Sequence, residues 1–222
     1  MRKYGYLALV AIPTLLATLV VADPAAAAGN VLTHGSAGGS AVAVNDVLTA
    51  SLAAGTTANF YSTATGTTGV RCSSSSFSAT VTANPAAPGV ATETLTAQTF
   101  GNCTSNVFGT TGVRSVTVDN LPYATTVDSA TKAVTISGTA AAPIQTTIVL
   151  STILGTTTCV YRSATNTVSG VASNTDLSIT FTSQQFTKFS GPGTCFANGY
   201  FTAKYSPVRD TSQAGSPVVY VN

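Results

Sequence analysis

A period of two constrains this chain more than any other feature. Apolar residues alternate with Thr or Ser in one short run after another. Phe77, Ala79 and Val81 alternate with Ser78, Thr80 and Thr82, and Arg114, Val116 and Val118 with Ser115 and Thr117. Val134 and Ile136 alternate with Thr135 and Ser137, and Leu177, Ile179 and Phe181 with Ser178, Thr180 and Thr182. Shorter echoes occur at Val42/Val44, Ile148/Leu150 and Val219/Val221. Such alternation buries one face and wets the other, as a half-buried β-strand does. Thr fits this role because its branched side chain packs on a pleated surface and tolerates water. There are 40 Thr and 23 Ser in 222 residues, and a single Glu, Glu93, so good helix formers other than Ala are scarce. Turn signals separate the runs at Asn84-Pro85, Pro88-Gly89, Leu121-Pro122, Gly191-Pro192-Gly193 and Ser216-Pro217. The pattern predicts roughly ten to twelve short strands and almost no helix.

The first thirty residues break the pattern. Arg2 and Lys3 precede a nearly continuous apolar run from Leu7 to Ala22, followed by Ala26-x-Ala28. This is the layout of a secretory signal peptide, residues 1–28, cut after Ala28. The run is shorter than the roughly 20 residues a spanning helix needs, and no later stretch is as apolar, so no membrane span is expected after cleavage. Cleavage leaves seven basic and six acidic side chains, a net charge of +1. So few clustered cations argue against a nucleic-acid partner. Residues 29–40 are Gly-rich and polar and read as a flexible lead-in, leaving 41–222 for the β domain, with a subdivision near 122–143.

Cys72, Cys103, Cys159 and Cys195 form an even set in a chain addressed to an oxidising compartment, so two disulfides are expected. No CxxC pair exists and the only His is His34, which argues against a metal site. Three pairings are open. The spacings of 31 and 36 residues favour Cys72–Cys103 and Cys159–Cys195. Each would close a loop worth about 3–4 kcal/mol in the chain-entropy picture. The two Cys-bounded segments resemble one another weakly, each holding an apolar-Thr strand, then Gln and Phe, then Cys. These features together predict an all-β chain, an Ig-like or jelly-roll β-sandwich, with two related β units as a variant.

Catalytic constellations are sparse. A Ser-His-Asp triad would need His34, which stands in the Gly-rich lead-in. Glycoside hydrolysis would need paired carboxylates, and nothing in the sequence pairs Asp46, Glu93, Asp119, Asp128, Asp176 or Asp210. Glu93 shares strand parity with Leu95 and Ala97 and so is a candidate to point inwards. Beside a lysine such as Lys188 it would be placed to promote an isopeptide bond; the alternative is a strand-end Glu in water. Eight Tyr and nine Phe, with no Trp, supply the aromatic surface. Tyr61, Tyr161, Tyr200 and Tyr205 are candidates for a strip that stacks on sugar rings. No enzyme activity, cofactor or metal is expected.

The segments "TGVRCSSSSFSATVTANPAAPGVATETLTAQTFGNC", "GVRSVTVDNLPYATTV", "TTCVYRS" and "ITFTSQQFTKFSGPGTCF" resemble a group of secreted actinomycete, Streptomyces-type, four-cysteine β proteins usually named only for their signal sequence. The resemblance spans about residues 35–222. It implies secretion, an all-β chain and a bacterial source, and it carries over no activity and no functional residue. Some members are labelled twin-arginine substrates; Arg2-Lys3 does not match that signal. The functional expectation is a secreted, non-enzymatic module, extracellular or wall-associated, that binds polysaccharide or cell wall. The alternatives are a self-assembling surface component and a protein-partner or inhibitor role through turns such as "GTTGV" and "SGPGTCF".

Overall fold

The alternating runs become strands almost wherever they occur in the computed structural model, which describes residues 29–222. The signal-peptide reading of 1–28 lies outside the described residues. There are sixteen strands and no helix among those described. In chain order they are β1 (Leu32–His34), β2 (Ser40–Ala41), β3 (Val47–Ser51), β4 (Ala58–Tyr61), β5 (Gly69–Ala83), β6 (Val90–Ser105), β7 (Thr110–Asp119) and β8 (Tyr123–Asp128). They continue with β9 (Ala133–Ser137), β10 (Gln145–Thr152), β11 (Gly155–Ser163), β12 (Thr167–Ser173), β13 (Ser178–Ser190), β14 (Asn198–Tyr205), β15 (Arg209–Asp210) and β16 (Val219–Val221).

Eight strands close into an antiparallel barrel in the order β12-β9-β8-β6-β5-β4-β14-β13, and β13 pairs back to β12. This corrects the sandwich expectation, Ig-like or jelly-roll. A sandwich stave and a barrel stave carry the same alternation, inward apolar and outward polar, so the pattern alone does not separate them. The decision lies in the seam, where Gly170 to Ser173 of β12 pair with Phe181 to Ser178 of β13. Gly170 is needed there: a Cβ would sit 2.9 Å from both the Phe181 ring and the Thr180 carbonyl.

Two long strands fork. The first half of β5 pairs with β4 and its second half with β3, while β6 runs along its other edge. β13 pairs with β12 through Ser178–Phe181 and, beyond an irregularity before Gln184, with β11 through Phe186–Ser190. From that second half the sheet runs on through β11, β10 and β7. One sheet of thirteen strands therefore crosses both halves of the chain, so they do not form two separate sandwiches. The stretch 122–143 supplies β8 and β9, two staves of the barrel.

The lead-in is built into the fold. β1 pairs with β16 and β2, and Val31, Leu32 and Thr33 are buried. Asn84 acts as a stand-in strand: its Nδ2 donates to the carbonyls of Leu32 and Val42, and its Oδ1 accepts from Leu32 N, each at 2.8 Å. The Gly content suggested mobility; the three buried residues between the glycines decide otherwise.

Both disulfides follow the spacing. Cys72–Cys103 joins directly opposed residues of β5 and β6. Cys159–Cys195 ties β11 to the loop between β13 and β14. Next to the second bridge, Phe60 packs edge-on against Tyr161 and Phe186, at 4.9 and 5.5 Å between centroids, and Phe196 closes the cluster. Gly199 lies against the Phe60 ring, where a Cβ would stand 2.1 Å from Cζ. Phe60 is locked by its neighbours and has nowhere to move. We expect Gly199→Ala to destabilise the protein by about 1–3 kcal/mol, read from the midpoint of urea unfolding with the disulfides intact.

Candidate functional site

Inward-pointing residues from adjacent staves form rows around the barrel. One row runs Val81 (β5), Glu93 (β6), Thr125 (β8), Ile136 (β9) and Val168 (β12), each opposite the next in register. Four of these are apolar or hydroxylic, as interior packing asks; Glu93 is the exception. It is 8 % exposed and faces a cavity of about 100 Å³ lined chiefly by Leu95, Val134, Ile136, Ile179 and Phe181. A second space of about 30 Å³ lies above it, bounded by Leu32, Val219 and Val221. Glu93 lines both, beneath the sheet β16-β1-β2.

The sequence left open an inward Glu93, and that is its position. Lys188 is not its neighbour: its Nζ donates to the carbonyls of Pro192 and Cys195 at the far disulfide. Without a cation or hydrogen-bond donor on it, the Glu93 carboxyl is pushed by burial from the ordinary 4.5 up to about 7. Beside it, the Thr125 hydroxyl is buried and has no hydrogen-bond partner. Other polar groups of the wall satisfy one another. Ser75 Oγ and Tyr205 Oη lie 2.8 Å apart, Gln98 Nε2 donates to both, and Ser75 Oγ donates to the Thr99 carbonyl. Burial pushes the Tyr205 hydroxyl up to about 12.

The four candidate tyrosines separate into two pairs. Tyr161 and Tyr205 are each 1 % exposed and belong to the core, so no outward strip includes them. Both lie on strands whose polar neighbours face out, and the alternation turns them in. Tyr61 and Tyr200 are half-buried and face each other across β4 and β14.

The outer surface offers a different feature. A groove of about 440 Å³ runs over β3, β5 and β6, its lining a mixture of apolar residues such as Ala97 and Pro207 with Thr49, Ser51, Ser76, Ser78, Thr99 and Arg209. Ser76 and Thr99 hydroxyls bond each other at 2.8 Å, and Arg209 Nη1 donates to the Ser216 carbonyl. The sequence missed this row because the residues come from three strands; only the register sets Thr49 opposite Ser78, Ser51 opposite Ser76, and Ser76 opposite Thr99.

Two carboxyls that the sequence did not pair do meet. Asp210 on β15 stands beside Asp46, just before β3, and burial followed by Asp46 holds its carboxyl above the usual range. Asp210 is fully buried, its Oδ1 accepts from Ser212 N, and Asp46 accepts from Ala43 N and Gln213. The backbone pairing of β15 with β3 brings the two carboxyls together, and Asp210 Oδ2 is buried without a hydrogen-bond partner. His34 is part of β1, opposite Val219. At the far end, the β6–β7 and β10–β11 turns lie side by side because Thr110 pairs with Thr152. They present Phe108 and Leu154, each 99 % exposed, together with Ile153.

Set against known protein families, curated proteins and solved structures, the chain matches none.

Glu93 makes stability depend on pH with a definite sign. The folded state holds this proton more tightly than the unfolded chain, so stability falls as pH rises from 4.5 to about 7. The loss is on the order of 3 kcal/mol. We expect Glu93→Gln to match the parent near about pH 4 and to exceed it by that order near about pH 8. Urea unfolding of both proteins at the two pH values reads the difference, in which the other carboxyls cancel.

Proposed function

We propose that the protein is a secreted, non-enzymatic binding module of the cell surface or medium, and that its ligand is a neutral polysaccharide of the wall or surroundings. The observation that carries this reading is the hydroxyl-lined groove over β3, β5 and β6. Sugar hydroxyls both donate and accept, and so do Thr and Ser side chains. The hydroxyls of Thr49, Ser51 and Ser78 are free of hydrogen bonds to other described residues, so they are available to a ligand. Arg209 adds fixed donors at the end of the row. The low charge of the surface favours a neutral partner over an acidic or basic one. Two disulfides fit an oxidising, extracellular setting, and among the described residues no helix is long and apolar enough to cross a membrane.

A second reading, self-assembly on a surface, is favoured by Phe108, Ile153 and Leu154. Three large apolar side chains in water at neighbouring turns are a signature of an interaction site.

One experiment addresses both. Oxidised protein is mixed with insoluble polysaccharides and isolated cell walls across a salt series. The groove reading expects saturable retention that survives salt and drops about tenfold or more in Arg209→Ala combined with Thr49→Ala, with the fold unchanged by circular dichroism. No retention on any of these surfaces contradicts it. Sedimentation velocity of the same sample reads self-association, which Phe108→Ser with Leu154→Ser abolishes if the turns are the contact.

A further inference from the structure

The interior cavity holds a buried carboxyl and a buried hydroxyl that the fold leaves unpaired, and they are neighbours. Glu93 and Thr125 stand opposite each other on β6 and β8, 8 % and 5 % exposed, with both side chains lining the cavity. Directly opposed residues of an antiparallel pair lie close enough for their side chains to converge on one point. Folding normally satisfies such groups, as it does Ser75, Gln98 and Tyr205 in the same wall. Leaving two adjacent ones unsatisfied is costly unless something else meets them.

The lining also says what would meet them. No Lys, Arg, His or Asp lines either interior space, so nothing there balances a carboxylate. The only other titratable lining groups are Tyr123 and Tyr205, both shifted upward by burial and neutral at ordinary pH. Below neutral pH Glu93 therefore carries its proton and donates, and the Thr125 hydroxyl donates beside it. Two donors on opposed residues of one cavity wall suit an acceptor oxygen. The remaining walls, among them Leu95, Val134, Ile136 and Ile179, call for an apolar body. The volume of about 100 Å³ is below the roughly 150 Å³ of a dry engineered cavity that takes up benzene, which limits the body's size.

We propose that the barrel interior binds a small neutral oxygenated compound, a ketone or alcohol of about four carbon atoms, whose oxygen accepts hydrogen bonds from the Glu93 carboxyl and the Thr125 hydroxyl. The site is separate from the surface groove and does not depend on what that groove binds.

Titration of the oxidised protein with butanone, followed through the methyl resonances of Val134, Ile136 and Ile179, tests this. At about pH 5.5, where Glu93 is protonated, saturable one-to-one shifts are expected. A methylbutene of the same shape, lacking the oxygen, binds about tenfold more weakly, and Thr125→Val weakens butanone by a similar factor. Raising the pH to about 8.5 weakens butanone again, because an ionised Glu93 accepts and no longer donates. Glu93→Gln keeps an amide donor and binds butanone alike at both pH values; it is also the more stable protein, so misfolding does not confuse the result. Absence of saturable shifts with butanone overturns the proposal, as does equal binding of butanone and methylbutene. Preferential uptake of sec-butylamine at about pH 8.5 also overturns it, since the site would then take a cation against ionised Glu93.

Discussion

The pairing of β12 with β13 is what the rest of the structure depends on. β12 is bonded to β9 on one side and to β13 on the other, through the same residues, Gly170 and Val171. Without the second set of bonds the eight staves would be an open sheet with two bare edges, and the interior row from Val81 to Val168 would face water. With it, the ring has no edges to leave unpaired. The seam demands close approach, and the one residue without a side chain sits where the Phe181 ring crosses. Closure in turn makes the interior apolar enough to hold the Glu93 proton.

The ends of the chain complete the enclosure. β1 and β16 bring residues from opposite termini into one small sheet over the barrel mouth. Amide side chains fasten it. Asn222 Nδ2 donates to the Asn30 carbonyl at 2.7 Å, and Asn174 exchanges two bonds with Val221, giving Nδ2 to its carbonyl and taking its N–H. Lys132 Nζ donates to the same Val221 carbonyl. Lys132 apart, this chain of few charges uses uncharged groups for this work, and it carries its water-facing surface on Thr and Ser in the same way. Thr82 and Thr92, for example, bond hydroxyl to hydroxyl across β5 and β6 on the outer face.

The sequence carried the local order well. Val134-Thr135-Ile136 and Phe77-Ser78-Ala79 were readable as strands because alternation is a property of neighbours. Cys72–Cys103 and Cys159–Cys195 were favoured by spacing, and the parity of Glu93 with Leu95 left an inward position open beside a strand-end one. What was not readable depends on partners far away in the chain. Gly170 looks like any glycine in a Thr-rich strand until Phe181 is placed against it. Asp46 and Asp210 are 164 residues apart and meet only because β15 pairs with β3. The hydroxyl groove is assembled from three strands, and aromatic content alone does not say which face Tyr161 and Tyr205 take, which is the buried one. The order of the Gly-rich lead-in has a related origin: Val31, Leu32 and Thr33 are buried beside β16, a strand far along the chain.

The most direct test of the closed barrel is nuclear Overhauser spectroscopy across the seam, with amide exchange on the same sample. The account predicts cross-strand contacts from β12 to both neighbours: Val171 to Thr180 on β13, and Val168 to Ile136 on β9. It also predicts slow exchange for the β12 amides on both sides. Contacts to β9 alone, with fast exchange along the β13-facing edge of β12, would mean an open sheet, and the buried apolar interior around Glu93 would go with it.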